Sequence, residues 1–114
     1  NSAGMDALRS VPPEVRQAKG NESMALWFYA VAERLLHGDY HGHGRHQPGA
    51  ALAAYFAAAA LGDHAAQLEV AFFAHFGWVS SKPSRRLAEW WYRRAARRGN
   101  KIAALTLNQL QGYA

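Results

Sequence analysis

The 114-residue chain contains no cysteine. That excludes a disulfide framework, a thiolate nucleophile and any cysteine-based zinc site, and it leaves both the cytoplasm and the periplasm open as compartments. Long hydrophobic runs are missing as well. The apolar stretches at 50–60 and 70–74 fall far short of the ~20 residues that a helical bilayer span needs. The opening stretch NSAGMDALRSVPPEVR holds no hydrophobic segment and does not read as a secretory signal. Valine, isoleucine and threonine are scarce, and no alternating stretch is bounded by Asn-Gly or Asp-Gly turns, so strand signals are nearly absent. Acids are few: eight against thirteen basic residues.

What is present favours helix. Alanine is the commonest residue, with Leu, Arg, Glu and Gln filling in, and these residues have high helix propensity. Punctuation falls at Gly20-Asn21, Gly38 to Gly49, Gly62-Asp63, Gly77 to Pro83 and Gly99-Asn100. The spacing predicts helices at 13–19, 22–37, 48–61, 64–76, 84–98 and 101–111, most of them near the mean helix length. Pro48 and Pro83 suit helix starts, and Gly62 and Gly99 suit the left-handed turn that ends a helix. We expect one all-α domain at 13–114, with 1–12 a tail or an expression remnant.

Two stretches repeat at one offset. ALAAYFAAAALGDHAAQLEV (51–70) aligns with AEWWYRRAARRGNKIAALTL (88–107), 37 residues on. Ala51 meets Ala88, Tyr55 meets Tyr92, Ala58 and Ala59 meet Ala95 and Ala96, Gly62 meets Gly99, Ala66 meets Ala103, and Val70 meets Leu107. The shared pattern, A-x3-Y-x2-A-A-x2-G-x3-A-x3-[VL], places Ala and Tyr on one stripe of a first helix. Glycine then turns the chain into a second helix. A worn third copy lies upstream at an offset of 42, with Gly20 for Gly62, Met24 for Ala66 and Phe28 for Val70. The copies divide the domain at about 13–47, 48–83 and 84–114.

These residues resemble the Sel-1-like repeat family, a branch of the tetratricopeptide-like helical hairpins. The family pattern is matched at Ala88, Trp91, Tyr92, Ala95, Ala96, Gly99 and Ala103, and again at Ala51, Tyr55, Ala58, Ala59, Gly62, Ala66 and Gly77. Ala54 stands where the family has tryptophan, and the loop GWVSSKP lacks the family's second glycine. The resemblance implies a short right-handed α-solenoid of antiparallel helix pairs, an α-α superhelix. It also implies an adaptor or scaffold role in binding other proteins, for which the continuous surface of stacked hairpins is suited. The Ala-, Arg- and Trp-rich composition points to a bacterial source. An open end of so short an array is expected to be covered by a partner or by a homodimer.

Charge singles out one segment. Residues 82–101 hold eight basic side chains against Glu89 alone, a window of +7, and the rest of the chain is −2. At about 100° per residue, Arg86, Trp90, Arg93, Arg94 and Arg97 fall within about 100° of one another on one helix. Ala88, Tyr92, Ala95 and Ala96 fall on the opposite side, with Trp91 at the border. Trp90 is the surplus tryptophan, placed among arginines, and Trp and Arg dominate the energetics of protein interfaces. The expected partner is therefore an acidic protein or peptide, with Trp78 and Tyr40, in corresponding loops, as further contacts. The same residues could serve nucleic acid, with arginines on phosphates and Trp90 stacked on a base. No established nucleic-acid motif accompanies them, and the alternative reading is a solvated face on which arginines stack over Trp90.

HGDYHGHGRHQPG (37–49) carries four histidines. His41 and His43 could bind a metal adventitiously, as His-rich tracts do, but the glycines make the segment foremost a connector between helices. No cofactor is called for. The aromatics of LWFYAV (26–31) and AFFAHF (71–76) are expected in the core, with His75 partly buried among them. Neither a nucleophile elbow, a phosphate loop nor H-E-x-x-H is present, so catalysis is not expected.

Overall fold

The computed structural model describes residues 20–38, 46–79 and 82–112. They form five helices: α1 (Asn21–His37), α2 (Pro48–Ala60), α3 (His64–Phe76), α4 (Arg85–Arg97) and α5 (Lys101–Gly112). No strand occurs among the described residues. The protein is a small all-helical domain, with bounds within a residue of those expected; the helix expected at 13–19 lies outside the described residues. None of the helices is long and apolar enough to cross a membrane.

Local chemistry accounts for the helix ends. Pro48 occupies the first turn of α2, where its fixed φ and missing N–H cost nothing. Pro83 does not start α4; Ser84 does. The Ser84 hydroxyl accepts a hydrogen bond from the Leu87 amide at 3.2 Å, satisfying one of the donors left over at a helix start. Pro83 instead closes on Gly77, where a Cβ would come within 2.8 Å of its nitrogen. Asn100 caps α5 in the same way, its Oδ1 accepting from the Ala103 amide at 2.9 Å.

The turns at Gly62 and Gly99, 37 residues apart, carry matching backbone hydrogen bonds. Leu61, Gly62 and Asp63 donate to Ala58, Ala59 and Ala58 at 3.1, 3.0 and 3.1 Å, respectively. Arg98, Gly99 and Asn100 donate to Ala95, Ala96 and Ala95 at 3.1, 3.0 and 3.0 Å. Each bond has its counterpart 37 residues away. Gly62 and Gly99 sit at φ 102° and 95°, a region that costs a side-chain-bearing residue about 1–2 kcal/mol.

The chain divides into two compact units, Asn1–Asp63 and His64–Ala114. In the first, α1 pairs with α2. Ala25, Phe28 and Ala32 of α1 and Ala51, Ala54, Tyr55, Ala58 and Ala59 of α2 are buried. Tyr29 meets Tyr55 edge-on at 5.6 Å, and the Tyr55 hydroxyl donates to Glu33. In the second unit α3 pairs with α4, and α4 with α5. Ala66, Leu68, Val70, Ala71 and Phe73 are buried on α3, then Ala88, Trp91, Tyr92 and Ala95 on α4. Alanine stripes shorten side chains where helix axes come to within about 8–10 Å.

A side-chain contact also corresponds between the two units. The Tyr92 hydroxyl lies 2.8 Å from His75 Nδ1, as that of Tyr55 meets Glu33. Tyr92 is Tyr55 moved by 37 residues, and His75 is Glu33 moved by 42. In each unit the hydroxyl of a buried tyrosine on the later helix therefore bonds a side chain of the earlier one. Burial of Phe28 and Val70 agrees with the same alignment.

Candidate protein-binding face

Helix α4 sorts its residues as its sequence spacing requires. The Ala88–Tyr92–Ala95 stripe and Trp91, only 6% exposed, turn inward. Arg86, Trp90, Arg94 and Arg97 are exposed, and Arg93 is half-buried. Trp90 keeps 47% of its surface in solvent. Because helical neighbours three and four apart share a face, Arg94 lands on Trp90. Its guanidinium carbon is 4.6 Å from the Trp90 ring centroid and 6.0 Å from that of Trp91. The two tryptophans meet edge-on at 4.8 Å. Trp90 is thus backed by Trp91 and flanked by Arg94, with half of its indole open.

The electrostatics of this face are one-sided. Glu89, the only acid on α4, pairs with Arg85 at 3.0 Å. Arg85 also donates to the Leu110 carbonyl of α5, so it is committed to holding the two helices together. Among the described residues no ion pair neutralises Arg86, Arg93 or Arg97. Exposed guanidiniums on a shared face attract and orient carboxylates, and a half-open indole offers the apolar anchor that a contact centre needs.

Trp78 joins a different group. It follows α3, half-exposed, and stacks on Phe76 at 5.3 Å and 23°. Phe73 meets it edge-on at 5.4 Å, and Phe72 bridges to Tyr92 at 5.9 Å. Phe76, expected in the core, is half-exposed as well. It had no separate signal in the sequence, because position i+3 from Phe73 is also a core spacing. His75 is partly buried as expected, stacked on Phe76 at 4.4 Å. Burial pushes the Tyr92 hydroxyl up to about 12.

Tyr40, His41 and His43 lie outside the described residues. Of the flanking histidines, His37 is 3.8 Å from Glu33, and His46 Nδ1 is 2.7 Å from the Leu36 carbonyl. Among the described residues no group of three or more His, Asp or Glu is placed to hold a metal ion. Neither a family model, a curated protein nor a solved structure matches the chain.

Proposed function

We propose that the chain is a non-catalytic protein-interaction module, a short right-handed α-solenoid of Sel-1-like repeats. Its α4 face, in this reading, binds an acidic protein or peptide. The observation that carries the proposal is the half-open Trp90 on a helix face whose Arg86, Arg93 and Arg97 have no acidic counterpart among the described residues. The repeated turn at Gly62 and Gly99, and the tyrosine bonds to Glu33 and His75, support the repeat reading. Arginines would steer and orient the acidic partner, and Trp90 would supply the buried anchor. Trp78 and Phe76 offer a second apolar contact.

The test is a nuclease-treated pull-down beside the Arg86/Arg93/Arg97→Glu variant, followed by titration of the captured, purified protein. Binding should fall by at least tenfold for Trp90→Ala, the loss of a contact anchor. It should be abolished by the charge reversal. Nucleic acid is the second reading, favoured by the same stacking-competent Trp90. Three neutralised phosphates would give a log–log salt slope near −3 on duplex, with no dependence on a protein partner. Retention of nucleic acid alone would remove the adaptor reading.

A further inference from the structure

The outward side of α4 carries an order beyond its charge. Leu87, Trp90, Arg94 and Arg97 step along the helix by three, four and three residues, the spacing of a seam on which a second helix packs. Leu87 and Trp90 are 50% and 47% exposed, and Arg94 and Arg97 are exposed as well. Arg86 and Arg93 immediately precede Leu87 and Arg94, and Arg98 follows Arg97. The seam therefore begins apolar, ends basic and is flanked by guanidiniums along its length. Leu87, one turn before Trp90, doubles the apolar anchor.

Backbone and charge together say what fits there. An extended peptide docks by adding a strand to a sheet edge or by entering a groove. No strand occurs among the described residues, the outer side of a helix is convex, and the amides and carbonyls inside α4 are spent on its own hydrogen bonds. A helical ligand needs neither edge nor groove, because it repeats its side chains at the interval of the seam and packs along it. A second copy of α4 is the wrong helix. Glu89 is its only acid and is paired with Arg85, so arginine would face arginine. An acidic helix is complementary to the seam. Arg94 is the best placed to receive a carboxylate, since its guanidinium is already stacked on Trp90 at 4.6 Å. The stacked face leaves the N–H edge for a bidentate bond.

We propose that the acidic partner presents an amphipathic helix that packs lengthwise on α4. Its apolar side chains meet Leu87 and Trp90, and its carboxylates meet Arg86, Arg93, Arg94 and Arg97. This names the partner of the adaptor reading and rests on that reading. The contact runs for about three turns, or ~16 Å, from Arg86 to Arg97, so a peptide of about two heptads spans it. Such a peptide is mostly unfolded alone and gains helix as it binds.

Fluorescence anisotropy of labelled peptides titrated with the whole chain tests the proposal. The first peptide sets Leu in a stripe of three-four spacing, flanked by Glu, on an Ala background. The second shuffles the same residues so that no stripe forms, and the third keeps the stripe but carries a central proline, which breaks the helix. The striped peptide should bind at least tenfold more tightly than either control and gain helical circular dichroism in the complex. Leu87→Ala should weaken it roughly fivefold, as expected for an apolar side chain that loses its half-buried contact. Arg94→Lys should weaken it although the charge is kept. Circular dichroism checks that both variants are folded. Equal binding of the proline peptide overturns the helical partner, and equal binding of the shuffled peptide reduces the contact to charge alone; either result leaves the adaptor reading standing. No binding by any of the three also overturns the proposal, and the adaptor reading then depends on the pull-down. If a single-stranded oligonucleotide binds where no peptide does, both fall.

Discussion

Two glycines of the same unit test how far backbone conformation and steric space can be separated. Gly99 and Gly77 both hold positive φ, 95° and 68°. A Cβ on Gly99 would meet nothing within 4 Å, whereas on Gly77 it would lie 2.8 Å from Pro83 N and 3.0 and 3.1 Å from two Pro83 ring carbons. Gly99→Ala therefore carries only the conformational cost, about 1–2 kcal/mol. Loss of unfolded-state freedom offsets about 0.4–1 kcal/mol of that, leaving a net destabilisation near 1 kcal/mol. Gly77→Ala adds an overlap with backbone and ring atoms that cannot swing aside, worth a further ~1–3 kcal/mol. Thermal unfolding followed by circular dichroism would read both. Gly99→Ala should lower Tm by about 4–8 °C, and Gly77→Ala by at least twice as much. Gly99→Asn should recover part of the loss, since asparagine tolerates the left-handed region. Equal losses at the two positions would refute the steric term, and no loss at Gly99 would refute the conformational one.

Other consequences are as direct. Trp91→Ala should cost about 3–5 kcal/mol as a buried aromatic. Trp90→Ala should cost about 1 kcal/mol or less, the worth of an exposed cation–π contact; urea unfolding of the two variants gives the comparison. The raised Tyr92 hydroxyl keeps its proton in the folded chain while the unfolded tyrosine loses its own near pH 10. Its stabilisation is therefore intact below pH 10 and is lost as pH rises from 10 toward 12, by at most about 2–3 kcal/mol. Tyr92→Phe should flatten that part of the stability–pH curve, and it should cost about 1 kcal/mol at neutral pH through the lost bond to His75.

Helix bounds, the turns at Gly62 and Gly99 and the inward stripe of α4 were legible in the sequence because their causes are local. A left-handed turn needs glycine wherever it stands, and a stripe is set by the 3.6-residue period alone. The split of Trp90 from Trp91 was legible for the same reason: 100° of rotation carries one outward and the other inward. The offset of 37 residues is legible from two stretches of sequence alone, whereas the offset of 42 matches only Gly20, Met24 and Phe28.

Only the tertiary structure decided which partners those faces meet. Phe73 and Phe76 are both spaced for a core, yet one is buried and the other stacks half-exposed on Trp78, because burial depends on where α4 runs. Arg85 belongs to the same basic run as Arg86, but its reach to Glu89 and the Leu110 carbonyl withdraws it from the open face. Leu68 and Leu105 lie 37 residues apart at matching positions of the sequence pattern and differ tenfold in exposure; α3 packs on α4, and among the described residues no later helix packs on α5. Periodicity specifies the face that a residue occupies; whether the face is covered depends on chain segments distant in sequence.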